Sequence, residues 1–215
     1  MHSKPLSILL FCICCIRGLA QTDSLLYNEN TNLKEGIFLS YTDFRKDDPI
    51  TKEEIQSNLN KDQLDYFGKV IDQLKFTYIK NGATYSVESK NMWGFFQNRT
   101  LYVNYKEVFY RVPVVGSICY LVAVVEVPSY YPGIYGPGFG GGTGNTMKTK
   151  EIREFIINFY DGIVQELNLD NVELLLSRDQ TLYKEFMALK RKKKKEQISR
   201  FIKKYNELHP VYFLK

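Results

Sequence analysis

The amino-acid sequence predicts an α+β fold: an antiparallel, partly rolled β-meander with a short helix before it and a long basic helix after it. Three observations carry this. Residues 75–127 carry a β pattern of short, mostly alternating segments between turn signals, of which Asn81-Gly82 is the clearest because both residues tolerate positive φ. Ahead of them, Leu64, Phe67, Ile71 and Leu74 fall at helical spacing within 61–75. Behind them, Leu182, Phe186, Leu189, Ile198, Phe201, Ile202 and Tyr205 form one helical stripe that lapses near 193–194. The stripe ends at Pro210, since a residue before proline avoids αR.

The chain opens on a secretory signal pattern. Lys4 charges the first residues, and Leu6 to Ile16 is an apolar run of about a dozen residues. Arg17 then breaks a stretch already too short to span a bilayer, which needs about 20 residues. Gly18 and Ala20 are the small residues a signal peptidase reads, so the expected mature chain starts near Gln21. Cleavage would remove Cys12, Cys14 and Cys15 and leave Cys119 alone, so no disulfide framework is expected. No later segment is apolar and long enough to cross a membrane.

Residues 21–35 are polar and aperiodic and read as a flexible N-terminal segment. Gly36 to Phe44 reads as a first strand. Met92–Phe96, Leu101–Tyr105 and Val108–Val112 read as further strands, with a polar turn at Gln97-Asn98-Arg99. Ile118 to Val125 is unbroken and apolar, the pattern of a strand buried on both faces at the sheet centre. Residues 128–147 are a Gly/Pro/Tyr island, read as a long loop. Asp161-Gly162 marks a second hairpin. Asp170 with Glu173 resembles a capping box for a helix over 171–177, and Asp179 caps the next helix. The expected organisation is therefore a signal peptide at 1–20, a flexible segment at 21–35, a β-rich domain at 36–169 and a helical region at 170–215.

Assembled chemistry is scarce in the mature chain. His209 is its only histidine and ends the last helix, where a cation complements the dipole. A Ser-His-Asp or Cys-His site would use it only if the C-terminus folded back on the sheet. Cys119, inside an apolar strand, reads as a small core residue. Asp43, Asp47 and Asp48 do not follow a calcium-loop spacing, and Phe139 to Gly144 lacks the Gly-Lys-Ser/Thr of a phosphate loop. Trp93 reads either as a core anchor or as a stacking platform. No cofactor is expected.

Two surface features stand out. Lys190-Arg191-Lys192-Lys193-Lys194-Lys195 would cover every face of a helix, which keeps the segment out of any core; it reads either as a solvated helix middle or as a site for an anionic surface such as lipid headgroups or lipopolysaccharide. It belongs to a charge asymmetry: 183–215 hold 11 basic and 3 acidic residues. Nucleic acid is disfavoured as a partner by export. Tyr130, Tyr131, Tyr135 and Phe139 make the 128–147 loop a candidate aromatic contact surface.

The order of several short motifs resembles an uncharacterised family of exported Bacteroidota proteins. The matching residues are Gly36-Ile37-Phe38-Leu39 with Asp43-Phe44, and Trp93-Gly94-Phe95 with Leu101 to Tyr105. At the helical end they are Arg178-Asp179, Leu182-Tyr183, Lys190 to Lys195, Lys204 to Glu207 and His209-Pro210. The resemblance implies a periplasmic or surface location and no catalytic residue. The functional expectation is thus an exported, non-catalytic structural or binding module of the cell envelope, partnered by an anionic surface or another envelope protein. Docking through Lys190–Lys195 and a hydrolase working with carboxylates alone are the alternatives.

Overall fold

The computed structural model describes residues 24–28, 31–130 and 146–214, and these form the α+β fold. Strand β1 (Ser24–Leu26) lies antiparallel to the last strand, β12 (Tyr212–Leu214). The N-terminal segment expected to lack structure is therefore tied down at 24–26 by a partner nearly the whole chain away.

β2 (Gly36–Phe38) stops well short of Phe44. Ser40 starts helix α1 (Tyr41–Arg45) instead: its hydroxyl accepts from the Asp43 N–H, and the Asp43 carboxylate accepts from the Ser40 N–H at 2.9 Å. This local capping box overrides the strand pattern because it satisfies two orphan donors at once. β3 (Ile55–Gln56) leads to α2 (Tyr66–Asp72), which is shorter than the predicted 61–75 helix. Phe67, Val70 and Ile71 are buried, whereas Leu64 and Leu74 are 79% and 78% exposed.

β4 (Lys75–Lys80) and β5 (Ala83–Glu88) form the predicted hairpin, with Asn81 and Gly82 at φ 53° and 77°. A 3-10 turn at Ser89–Asn91 leads to β6 (Gly94–Gln97), β7 (Thr100–Tyr105) and β8 (Val108–Val112). The sheets run β3-β4-β5 and β2-β6-β7-β8. β9 (Ile118–Tyr130) and β10 (Thr146–Asn158) pair over their full length, and β11 (Val164–Glu166) borders β10. Residues 128–130 and 146–147 are thus strand rather than loop. The Asp161-Gly162 hairpin is present, with Gly162 at φ 72° and its α-carbon against the Tyr41 ring.

β9 corrects the central-strand expectation. It lies at a sheet edge, and its side chains alternate: Cys119, Leu121, Ala123 and Val125 are buried, while Val122 and Val124 are 41% and 48% exposed. An unbroken apolar run does not by itself reveal whether the second face is covered.

The short helix expected over 171–177 is α3 (Leu169–Leu176), and the long helix expected after it is split into α4 (Gln180–Met187) and α5 (Arg191–Leu208). Asn168, not Asp170, caps α3 by accepting from the Asn171 N–H. Asp179 caps α4 as predicted, accepting from Thr181 and Leu182. The breaks let the apolar stripe fold onto itself and onto Ile118 and Ile156. A second cluster joins the β2-β6-β7-β8 sheet to β9, β10 and β12 and includes Phe44, Phe155 and Phe213. A third lies under α2 and includes Phe67, Phe76 and Phe95. Among the described residues, no helix is long and apolar enough to cross a membrane.

Candidate functional site

A groove of about 750 Å³ opens between α2, the β4–β5 hairpin and the β6–β8 sheet. Its floor is aromatic. Phe95 and Tyr102 are direct cross-strand neighbours, and their rings stack at 4.5 Å and 4°. Phe109 adds a third ring 5.7 Å from Phe95. Ile71 and Leu74 form one wall and Val108 the other. Gly68 lines it as well, and a β-carbon there would meet nothing within 4 Å.

The groove's edges hold unusual backbone. Leu74, Lys106 and Glu107 sit at φ 62°, 53° and 67°. Left-handed conformations cost non-glycine residues about 1 kcal/mol or more and persist only where the surroundings impose them. Asn104 imposes two of them. Its Oδ1 accepts from the Glu107 N–H at 3.0 Å, while its Nδ2 donates to the Lys90 and Met92 carbonyls at 3.0 and 2.9 Å. One side chain therefore fixes the β7–β8 turn and ties it to the β5–β6 connection, which sets the shape of the groove at that end. On the rim, Lys90 pairs with Glu88 at 3.0 Å, and Asp72, Lys75 and Glu107 stand beside them.

Sequence periodicity places Ile71 and Leu74 on a helix and Phe95, Tyr102, Asn104, Val108 and Phe109 in strands, but assigns none of them to a site. The available signal was Lys106-Glu107, a two-residue turn between alternating strands without the glycine or asparagine such turns favour.

The structure divides the basic run. Lys190 is the N-cap of α5, so the run opens a helix rather than occupying its middle. Lys190, Arg191, Lys192, Lys193 and Lys195 are exposed. Lys194 is 8% exposed and buried against α3 and α4, which corrects the expectation that the whole segment stays out of the core. Its Nζ lies 2.7 Å from Glu173 Oε1, 3.0 Å from Met187 Sδ and 5.4 Å from the Phe186 ring centre. Lys193 pairs with Glu196 at 2.7 Å.

Of the contact-loop candidates, Tyr131, Tyr135 and Phe139 lie outside the described residues, as do residues 1–20 and Phe139–Gly144; Tyr130 ends β9. Trp93 is half-buried, stacked on Phe44 at 4.7 Å and tilted against Tyr41 at 5.3 Å, so it serves as an anchor. Cys119 is fully inside, its thiol donating to the Gly116 carbonyl at 3.2 Å, and burial pushes its pKa up to about 12. Each of the three clustered aspartates has a structural partner. Asp43 accepts from the Ser40 N–H in the α1 capping box, Asp47 accepts from the Lys34 N–H at 2.9 Å, and Asp48 pairs with Lys80 at 2.9 Å. Burial raises the Asp47 carboxyl above its ordinary range.

The C-terminus does fold back. The Ser117 hydroxyl donates to the His209 carbonyl, and His209 Nε2 lies 2.9 Å from Asp179 Oδ2. The hydroxyl thus engages the main chain of His209 and the thiol engages Gly116, so neither is presented to the imidazole as a nucleophile.

No curated protein and no solved structure matches the chain. A family model matches residues 36–209, from the β2 glycine to the histidine that closes α5. The chain belongs to a family of unknown function, DUF6563.

Proposed function

We propose that the protein is an exported, non-catalytic binding module of a bacterial cell envelope, with the α2–sheet groove as its binding surface. Export rests on the charged, apolar and small-residue pattern of residues 1–20. The binding reading rests on the groove: an apolar, aromatic-floored concavity of ligand-accommodating size, edged by backbone held in costly conformations. A carboxylate-only hydrolase is the rival, because Asp72, Glu88 and Glu107 line the same groove; Lys90 already neutralises Glu88.

The test uses N-phenyl-1-naphthylamine, a neutral aromatic probe that fluoresces when desolvated. The wild-type chain binds it, and Gly68→Phe, which projects a ring into open groove space, weakens binding without changing the circular dichroism. Equal binding by both chains removes the groove from consideration.

A second reading has its own observation. Lys190, Arg191, Lys192 and Lys195 have no carboxylate partner among the described residues, although they crowd the positive end of a helix dipole. Such a cluster docks on anionic surfaces, at about 1 kcal/mol per basic residue near the membrane. Co-sedimentation with phosphatidylglycerol vesicles at low and high salt tests it. The comparison variant replaces Lys192, Lys193 and Lys195 by Gln and keeps Lys194, which the fold uses. Salt-sensitive binding lost in the variant supports docking; unchanged binding refutes it.

A further inference from the structure

Ladder register identifies an open seam between β8 and β9. The Phe159 N–H donates to the Ser117 carbonyl at 3.0 Å, so odd-numbered β9 residues bond to β10 and even-numbered ones face the other way. The Tyr120 N–H agrees, reaching the Val114 carbonyl at 3.1 Å. Pro128, which has no N–H to contribute, occupies an outward position where none is lost. On β7, the Asn104 N–H bonds to Trp93 at 2.8 Å, so the odd β7 residues bond to β8 and leave Phe109 and Arg111 facing outward. Among the described residues, no β-ladder joins β8 to β9, and the isolated Val114–Tyr120 bridge lies at the near end of the seam. Instead of a ladder, the Tyr110 hydroxyl spans the seam to the Val124 carbonyl at 2.8 Å.

Beyond that tyrosine the seam widens into a cleft of about 750 Å³, lined by Lys106, Val108, Tyr110, Val124, Lys148 and Lys150, among others. Lys148 pairs with Glu126 at 3.2 Å, while Lys106 and Lys150 have no carboxylate partner among the described residues. Val122, Val124 and Ile152 are exposed on the outer ribbon face beside it, at 41%, 48% and 76%. Unpaired strand edges recruit other strands, and charged neighbours select which.

We propose that an acidic, extended segment of a partner protein adds to the outward edge of β9 as an extra strand. Its main chain takes up the Val124 and Glu126 donors, one set of alternate side chains packs on the exposed valines, and carboxylates meet Lys106 and Lys150. This inference is independent of the α2 groove.

The probe is a fluorescein-labelled peptide of alternating Glu and Val, about eight residues long, read by anisotropy against a Lys/Val counterpart on the full chain. The acidic peptide binds and the basic one does not. Val124→Pro, which keeps the β10 ladder as Pro128 does and removes one outward donor, weakens binding about fivefold, and Lys106→Gln with Lys150→Gln weakens it at least as much. Hydrogen exchange on the unmutated chain shows peptide-dependent protection at Val124 and Glu126, a readout unaffected by how well the proline variant folds. The proposal is overturned if neither peptide binds at millimolar concentration, if both bind alike, or if those two amides are already as protected as Ala123 and Val125 without peptide.

Discussion

Lys194, the fifth residue of a six-residue basic run, places its ammonium 2.7 Å from the Glu173 carboxylate in the three-helix core. The two side chains are 10% and 25% exposed, so the pair is largely shielded from water. Its surroundings are apolar apart from that carboxylate: Met187 sulfur on one side and the Phe186 ring on another. A charge in such a place is tolerated only when paired.

Removing one partner therefore has a different effect from removing its neighbours. Lys194→Met leaves Glu173 without its cation and costs about 1.5–3 kcal/mol, the scale of a charged hydrogen bond. Lys192→Gln and Lys195→Gln change stability by less than about 0.5 kcal/mol. The double variant Lys194→Met/Glu173→Leu recovers much of the loss, because an apolar replacement of a buried pair is often neutral. Urea unfolding of the four variants against the wild type checks this, and equal losses at positions 192 and 194 would refute the structural role of Lys194.

Two glycines respond to alanine with opposite signs. At Gly68 a β-carbon meets nothing within 4 Å, and the helix gains about 1 kcal/mol from better propensity. At Gly94 it meets the Tyr102 carbonyl oxygen at 2.4 Å in the adjacent strand, so the β6–β7 ladder must open. Thermal melts of Gly68→Ala and Gly94→Ala shift up and down respectively.

The Asp179–His209 contact predicts an acid sensitivity. The Leu182 N–H, then His209, hold the Asp179 carboxyl below its ordinary pKa. A depressed carboxyl stabilises the fold above its unfolded pKa, near 3.9, and that contribution disappears as pH falls through the lower folded value. Asp179→Asn keeps a cap but not the charge. Wild type exceeds it in stability at pH 6, and the gap narrows by pH 3. A constant gap across that range disproves the linkage.

Cys119 provides a clock for opening. Burial raises its thiol to about 12, so at pH 8 it is protonated as well as inaccessible. A maleimide or disulfide reagent labels it only at the rate of unfolding, and prompt labelling of the native chain contradicts its burial.

Asn104→Ala deletes three hydrogen bonds around the groove. At about 1 kcal/mol each, the expected loss is about 2–3 kcal/mol. Lys106 and Glu107 then leave the left-handed region, which solution coupling constants report.

Local chemistry was readable from sequence wherever the cause was local. Asn81-Gly82 and Asp161-Gly162 make turns because of their own backbone preferences, and Asp179 caps α4 through atoms two and three residues away. The α+β class and the helical stripe follow from periodicity, which the chain carries along its own length. Tertiary structure decided whatever depended on a distant partner. β1 forms because β12 reaches it, β9 has an exposed face because no described element covers Val122 and Val124, and Lys194 is buried because α3 brings Glu173 to it. The groove belongs to the same class: its rings come from three strands and its wall from a helix, and nothing in any single segment encodes the space between them.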